Sequence, residues 1–145
     1  MNPPVLPMPG NLKAVRVVLA IRLVLAVIIY GVATLGFVMA SGDPSLRAQT
    51  EAQTGMSYET ALLLMVVGVV IVAFEGYVLV TMGRGGARTQ TLLRAVVVLA
   101  FVSAVLNLLM GENAVLGFVL MVAVAILIES QSAKEWFRTT EGSVG

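Results

Sequence analysis

Residues Leu23–Ser41 read LVLAVIIYGVATLGFVMAS, an uncharged run of nineteen positions. A helix needs about 20 largely apolar residues to cross a bilayer. This run meets that requirement almost without help from its flanks. Lys13, Arg16 and Arg22 precede it, so the helix is expected to begin near Leu12 and to project into the headgroups before the apolar stretch starts. Val38-Met39-Ala40 has the form of a signal-peptidase site. A signal peptide, however, has an apolar core of only about 7–15 residues. The length of the run therefore favours an uncleaved first membrane helix.

Working outward, the same test finds three more stretches. Thr60–Met82 is apolar apart from Glu75, and Thr91–Met110 carries only Arg94, in its first turn. Ala114–Ile128 is uncharged but short, so the fourth helix is expected to run on through Glu129 and Ala133 to about Phe137. The breaks are equally legible. Ser41-Gly42-Asp43-Pro44, Gly83-Arg84-Gly85-Gly86 and Gly111-Glu112-Asn113 are turn sequences, because Gly and Pro cannot continue a helix cheaply. The two later turns are short, which makes helices two, three and four sequential antiparallel neighbours.

The expected organisation is an all-α integral membrane protein, a four-helix antiparallel bundle. Residues 1–11 form an N-terminal segment, 12–41 the first span with its extension, 42–59 a polar loop and 60–82 the second span. Residues 83–90 form a loop, 91–110 the third span, 111–113 a turn, 114–137 the fourth span with its extension and 138–145 a tail. The 42–59 loop lacks the periodicity of a domain, with room for no more than a short amphipathic turn.

Composition agrees. Hydrophobic residues make up 59% of the 145 positions and charged residues 12%. A soluble domain carries roughly 25% charged residues, and a soluble fold could not hide this much apolar surface. Lipid is thus the first partner, with a second copy or another membrane protein as the further expectation. A net charge of +1 offers nothing to nucleic acid. The chain has no cysteine and no histidine. That removes disulfides, thiolate chemistry, imidazole acid–base catalysis, haem ligation by His and zinc sites of the usual kind, so no cofactor or metal is expected. Arginine outnumbers lysine seven to two amid abundant Ala, Val, Leu and Gly, a bias that suggests a GC-rich bacterial genome.

Orientation follows from the basic residues, because loops rich in Lys and Arg stay in the cytoplasm. Lys13, Arg16, Arg22, Arg84, Arg88, Arg94, Lys134 and Arg138 all fall on one side of the four spans. Only Arg47 falls on the other, beside Asp43, Glu51, Glu59 and Glu112. Both ends are therefore expected in the cytoplasm, with the protein in the bacterial cytoplasmic membrane. Trp136 and Phe137, flanked by Lys134, Glu135 and Arg138, fit an interfacial aromatic anchor for the fourth helix. Arg84 and Arg88 beside the glycine turn fit contacts to anionic lipid heads.

Glu75 is the residue with the most to explain. Counting back from Gly83 places it about 12 Å inside the cytoplasmic boundary, where a charge is costly and normally faces a partner in the bundle. Arg94, Arg22 and Glu129 are expected at similar depth, which gives a candidate intramembrane cluster of two acids and two bases. Glu75 then has three readings: an ion pair that fixes helix packing, with Arg94 as first candidate; a proton- or cation-coupling carboxylate; or a protonated, hydrogen-bonded acid. Ala100, Ser103 and Asn107 share one face of the third helix, spaced i, i+3, i+7, and suit close packing with an interhelical hydrogen bond. The methionines, Met65, Met82, Met110 and Met121 among them, are scattered and read as gap-filling or lipid-facing.

In its layout the chain resembles a loosely related set of small four-helix membrane proteins of actinobacteria. The matching residues are Pro9-Gly10 before the first helix, Gly86-Ala87-Arg88 at the second loop, and Ser132-Ala133-Lys134-Glu135-Trp136-Phe137 at the end of the last helix. The resemblance implies the topology and carries no activity. With no catalytic signature, the expected role is a non-enzymatic accessory or interaction subunit. The alternative is a small oligomeric transporter or channel with Glu75 as its coupling group.

Overall fold

The computed structural model describes residues 6–109 and 115–141, and their regular structure is helical throughout. In chain order the helices are α1 (Gly10–Ser41), α2 (Pro44–Thr54), α3 (Tyr58–Thr81), α4 (Gly86–Leu109), α5 (Val115–Ile128) and α6 (Gln131–Thr140). A 3-10 turn, Met82–Arg84, follows α3. Among the described residues α1, α3 and α4 are long and apolar enough to cross a membrane, and the bent pair α5–α6 makes a fourth if it counts as one span. The chain divides into two compact units, Arg22–Phe74 and Met1–Ile21 with Glu75–Gly145.

The 32 residues of α1 give a rod of about 48 Å, against a hydrocarbon core of about 30 Å. Its start is set by Pro9, whose carbonyl accepts from the amides of Leu12 and Lys13, both at 3.1 Å. Its end is set by Pro44. Proline disfavours helical backbone in the residue before it, and Asp43 is accordingly extended (φ −130°, ψ 108°).

The same residue begins α2, which corrects the expectation of a loop over 42–59. Asp43 Oδ1 accepts from the Ser45 amide (2.8 Å) and the Ser45 hydroxyl (2.6 Å). Pro44 occupies the first helical position, where its missing N–H costs nothing. Gly55 closes the helix in the left-handed region (φ 67°), returning its N–H to the Glu51 carbonyl. No residue of α2 is buried, so the helix rests on its caps and not on an apolar stripe.

In the Arg22–Phe74 unit, α1 and α3 approach closely where Gly68 faces the Tyr30 ring, and a Cβ at Gly68 would collide with that ring. The Thr34 hydroxyl reaches Met65 Sδ at 3.9 Å, and the Tyr58 hydroxyl donates to the Phe37 carbonyl at 2.9 Å. Arg47 explains why one basic residue lies apart from the rest. Its guanidinium donates to the last carbonyls of α1, Ala40 (3.1 Å) and Ser41 (2.5 Å), and stacks 5.0 Å from the Tyr58 ring centre. The apolar side chains of α1 from Val24 to Met39 are otherwise largely exposed, Ile29 at 65% and Leu35 at 66%. Such exposure is costly in water and normal against lipid.

The other unit holds the fully buried core. Leu12 and Val15 of α1, Val78 of α3 with Met82 beside it, Leu93 and Val96 of α4, Val124 and Ile128 of α5 and Phe137 of α6 are all at or near zero exposure. Helix α4 packs on both α5 and α6, with Phe101 and Phe118 edge to face at 5.0 Å.

The fourth helix is not continuous from 114 to 137, as the sequence suggested. It ends at Ile128, and α6 leaves at 59° to α5. Ser130 is extended (φ −62°, ψ 151°), and its hydroxyl donates back to the Leu127 carbonyl at 2.7 Å. The fourteen residues of α5 span about 21 Å. The polar run Glu129–Ser132 that follows would be expensive to carry straight on through an apolar layer. The chain instead turns and presents Ala133, Trp136, Phe137 and Thr140, spaced i, i+3, i+4, i+7, as the buried stripe of a short amphipathic helix.

Candidate functional site

The turn at Glu129 is where the predicted charges meet. Arg94 donates two parallel hydrogen bonds to the Glu129 carboxylate, Nε to Oε1 at 2.6 Å and Nη2 to Oε2 at 3.0 Å. Lys134 Nζ lies 3.1 Å from the same Oε2. The triad ties α4, the break and α6 together. All three side chains are about half exposed, so each pair contributes on the order of 1 kcal/mol or less.

The expected Arg94–Glu75 pair is therefore replaced by Arg94–Glu129. The physical reason lies in burial. For Arg94, Glu129 offers a bidentate partner at the surface, where the guanidinium keeps part of its hydration, while Glu75 is 4% exposed. Glu75 continues the buried stripe of Val78 and Met82 at i, i+3, i+7, which turns its carboxylate inward. Arg22 belongs to the Arg22–Phe74 unit, while Glu75, Arg94 and Glu129 belong to the other. Of the four proposed members, Arg94 and Glu129 are in direct contact, and Lys134 joins them.

The aromatic pair also differs from expectation. Trp136 and Phe137 are 6% and 1% exposed, their rings 5.2 Å apart, and the Trp136 indole N–H donates to the Leu6 carbonyl at 3.2 Å. They fasten α6 into the protein and do not reach out as an interfacial belt. The reason is the turn at Ser130, which rotates the stripe of α6 onto α4 and the start of α1.

Two polar contacts with no signature of their own complete the attachment. The Asn11 amide donates to the hydroxyls of Ser130 (3.0 Å) and Ser132 (2.8 Å). Thr140 Oγ1 accepts a hydrogen bond from the Gly86 amide (2.9 Å) and donates one to the Trp136 carbonyl (2.7 Å). This contact needs the glycine turn. Gly85 and Gly86 both have positive φ (68° and 83°), and a Cβ on Gly85 would collide with Thr140. The signal for this contact was the spacing of Ala133, Trp136, Phe137 and Thr140, masked by the assumption of a continuous helix.

On α4 the expected small-residue face is Ala100, Ser103 and Asn107. Ala100 and Ala104 are buried, at 2% and 7% exposure. The Ser103 hydroxyl donates to the Leu99 carbonyl of its own helix at 2.9 Å, so it is not an interhelical bond. The side chain of Asn107 lies outside the described residues.

Chemically, the charged triad can hold a helix and set a hinge. It presents an engaged carboxylate between two cations and no nucleophile–base pair. No protein-family profile, no curated protein and no solved structure matches the chain. The class of protein therefore rests on the fold itself, a multi-pass, all-helical membrane protein with three or four spans.

Proposed function

We propose that this chain is a small non-enzymatic protein of a bacterial cytoplasmic membrane, with four spans and both ends in the cytoplasm, that serves as an accessory or interaction subunit. The observation that carries the reading is the uncovered length of α1. Of its most apolar stretch only 6% is buried, against 33% for α4. An apolar helix left open over most of its apolar stretch suits lateral association, because helices in lipid associate by close packing and not by escape from water. Gly36, with open space where a Cβ would stand, and exposed Gly31 on the same helix permit such an approach. The bias of basic residues supports the orientation, and the composition, which suggests a GC-rich bacterial genome, supports the bacterial membrane.

One observation favours the alternative of a small oligomeric transporter or channel: Glu75 is a buried carboxylate inside an apolar span. Reconstitution separates the two readings. Purified protein in liposomes, with an inside pH dye and an imposed potential, is expected to give proton and cation flux equal to empty vesicles, and Glu75→Gln is expected to change nothing. Flux in the wild type that Glu75→Gln abolishes would replace the accessory reading with the transporter.

A further inference from the structure

A second cationic feature, separate from the triad, lies where α3 gives way to α4. A cleft there is lined by Tyr77, Thr81, Arg84, Arg88, Thr89 and Glu141, with Leu92 on its apolar side. We propose that it binds the headgroup phosphate of an anionic phospholipid.

Three observations converge on that ligand. The first is depth. The cleft sits between the end of one candidate span, Tyr58–Arg84, and the start of the next, Gly86–Val105, which is headgroup level. The second is charge. Arg84 and Arg88 are both exposed, and among the described residues neither makes an ion pair. Glu141 offsets one of the two cations, so the walls keep a single net positive charge, suited to one monoanionic phosphodiester. Guanidinium groups match phosphate geometry with paired donors, which favours arginine for this task. The third is the grading of the walls. Tyr77, 52% exposed, and Leu92 offer apolar surface toward the spans, where acyl chains lie, while the arginines lie at the water end. Backbone donors play no part in the proposal, since the Gly86 amide is already taken by Thr140.

The site is independent of the accessory reading and would serve a subunit or a transporter equally. Its test is lipid binding to the delipidated full chain, read by native mass spectrometry with dioleoyl phosphatidylglycerol and dioleoyl phosphatidylcholine. The wild type is expected to prefer phosphatidylglycerol. Arg84→Gln and Arg88→Gln are each expected to weaken that preference about fivefold, and the double variant roughly thirtyfold, since each basic group near an anionic surface contributes about a factor of five. Arg84→Lys with Arg88→Lys is expected to fall between the wild type and the double Gln variant, because the charge stays and the paired donors are lost, and this separates charge from folding. Glu141→Gln is expected to strengthen it. Equal binding of the two lipids, or a preference that survives the double Gln variant, overturns the proposal. Displacement of phosphatidylglycerol by millimolar inorganic phosphate also overturns it, because the ligand would then be a soluble anion.

Discussion

Arg47 shows how one side chain can contradict a rule and still be explained. In the proposed orientation it is the one of nine basic residues that falls on the acidic side. Its place is fixed by the two carbonyls at the end of α1 and by the Tyr58 ring. The last carbonyls of a helix have no partner of their own, and a cation at that end also opposes the helix dipole. Arg47→Ala is expected to cost about 1 kcal/mol in a denaturant titration, the value of a charge-assisted bond at a partly exposed site. The same variant is expected to leave topology unchanged, since the other eight basic residues, on which the proposed orientation rests, are untouched. Asp43 makes a complementary case at the start of α2. The Ser45 hydroxyl, and after it the Ser45 amide, hold the Asp43 carboxyl below its ordinary range. A carboxyl whose value is lowered by folding stabilises the cap above its unfolded value, about 3.9, and loses that contribution as pH falls through the lowered value. Circular dichroism should therefore hold steady from neutral pH to about 4 and lose part of the α2 signal below that, an effect that Asp43→Ala should abolish. A helical signal that falls between pH 7 and 5 would refute this assignment.

At the scale of elements, α6 is the part that most repays a direct test. Contacts among the described residues hold it, from Asn11 to Ser132, from Trp136 to Leu6, and from Thr140 to Gly86, with the Arg94–Glu129–Lys134 triad at its root. Gly85 is the tightest of its neighbours, with a positive φ that only glycine adopts freely and Thr140 in the space a Cβ would need. Gly85→Ala should loosen α6 by roughly 2 kcal/mol or more. Trp136 is the only tryptophan in the chain, so its emission reports the docking of α6 without interference. A red shift is expected in Gly85→Ala and none in Gly83→Ala, where a Cβ meets open space. An unshifted spectrum in both variants would remove the glycine turn from the attachment. The long helices were legible because a bilayer imposes a run length that composition alone reveals, as in Leu23–Ser41. The shorter helices were not, for two different reasons. Helix α2 buries nothing, so apolar periodicity could not find it, and Asp43-Pro44 reads equally well as the turn that ends α1. Helix α6 was concealed by its own amphipathicity. Trp136 and Phe137 beside charged residues match an interfacial belt equally well, and only the extended backbone at Ser130 distinguishes the two.

At the scale of the whole molecule, the sequence names candidate charges but not their pairs. It gives Arg22, Glu75, Arg94 and Glu129 a similar expected depth. Which carboxylate Arg94 takes depends on burial, and burial depends on the break after α5 that brings Glu129 and Lys134 to its side. The same charge count supports the orientation, and the absence of cysteine from the chain makes that orientation directly testable. Single cysteines can be introduced at three exposed positions without disturbing a described contact: Gln49 on α2, Gly83 in the turn after α3, and Glu135 on the solvent face of α6. If both ends and the α3–α4 turn lie in the cytoplasm, a membrane-impermeant maleimide added to intact spheroplasts should label Gln49→Cys alone. Gly83→Cys and Glu135→Cys should label only once the membrane is permeabilised. The odd number of spans between Gln49 and Gly83 forces them to opposite sides whether or not α5 with α6 counts as a crossing. The Glu135 result then decides that remaining point. Labelling of Glu135→Cys on the same side as Gly83→Cys means that α4 and the bent pair cross as two spans, and labelling from outside means that the bent pair returns without crossing.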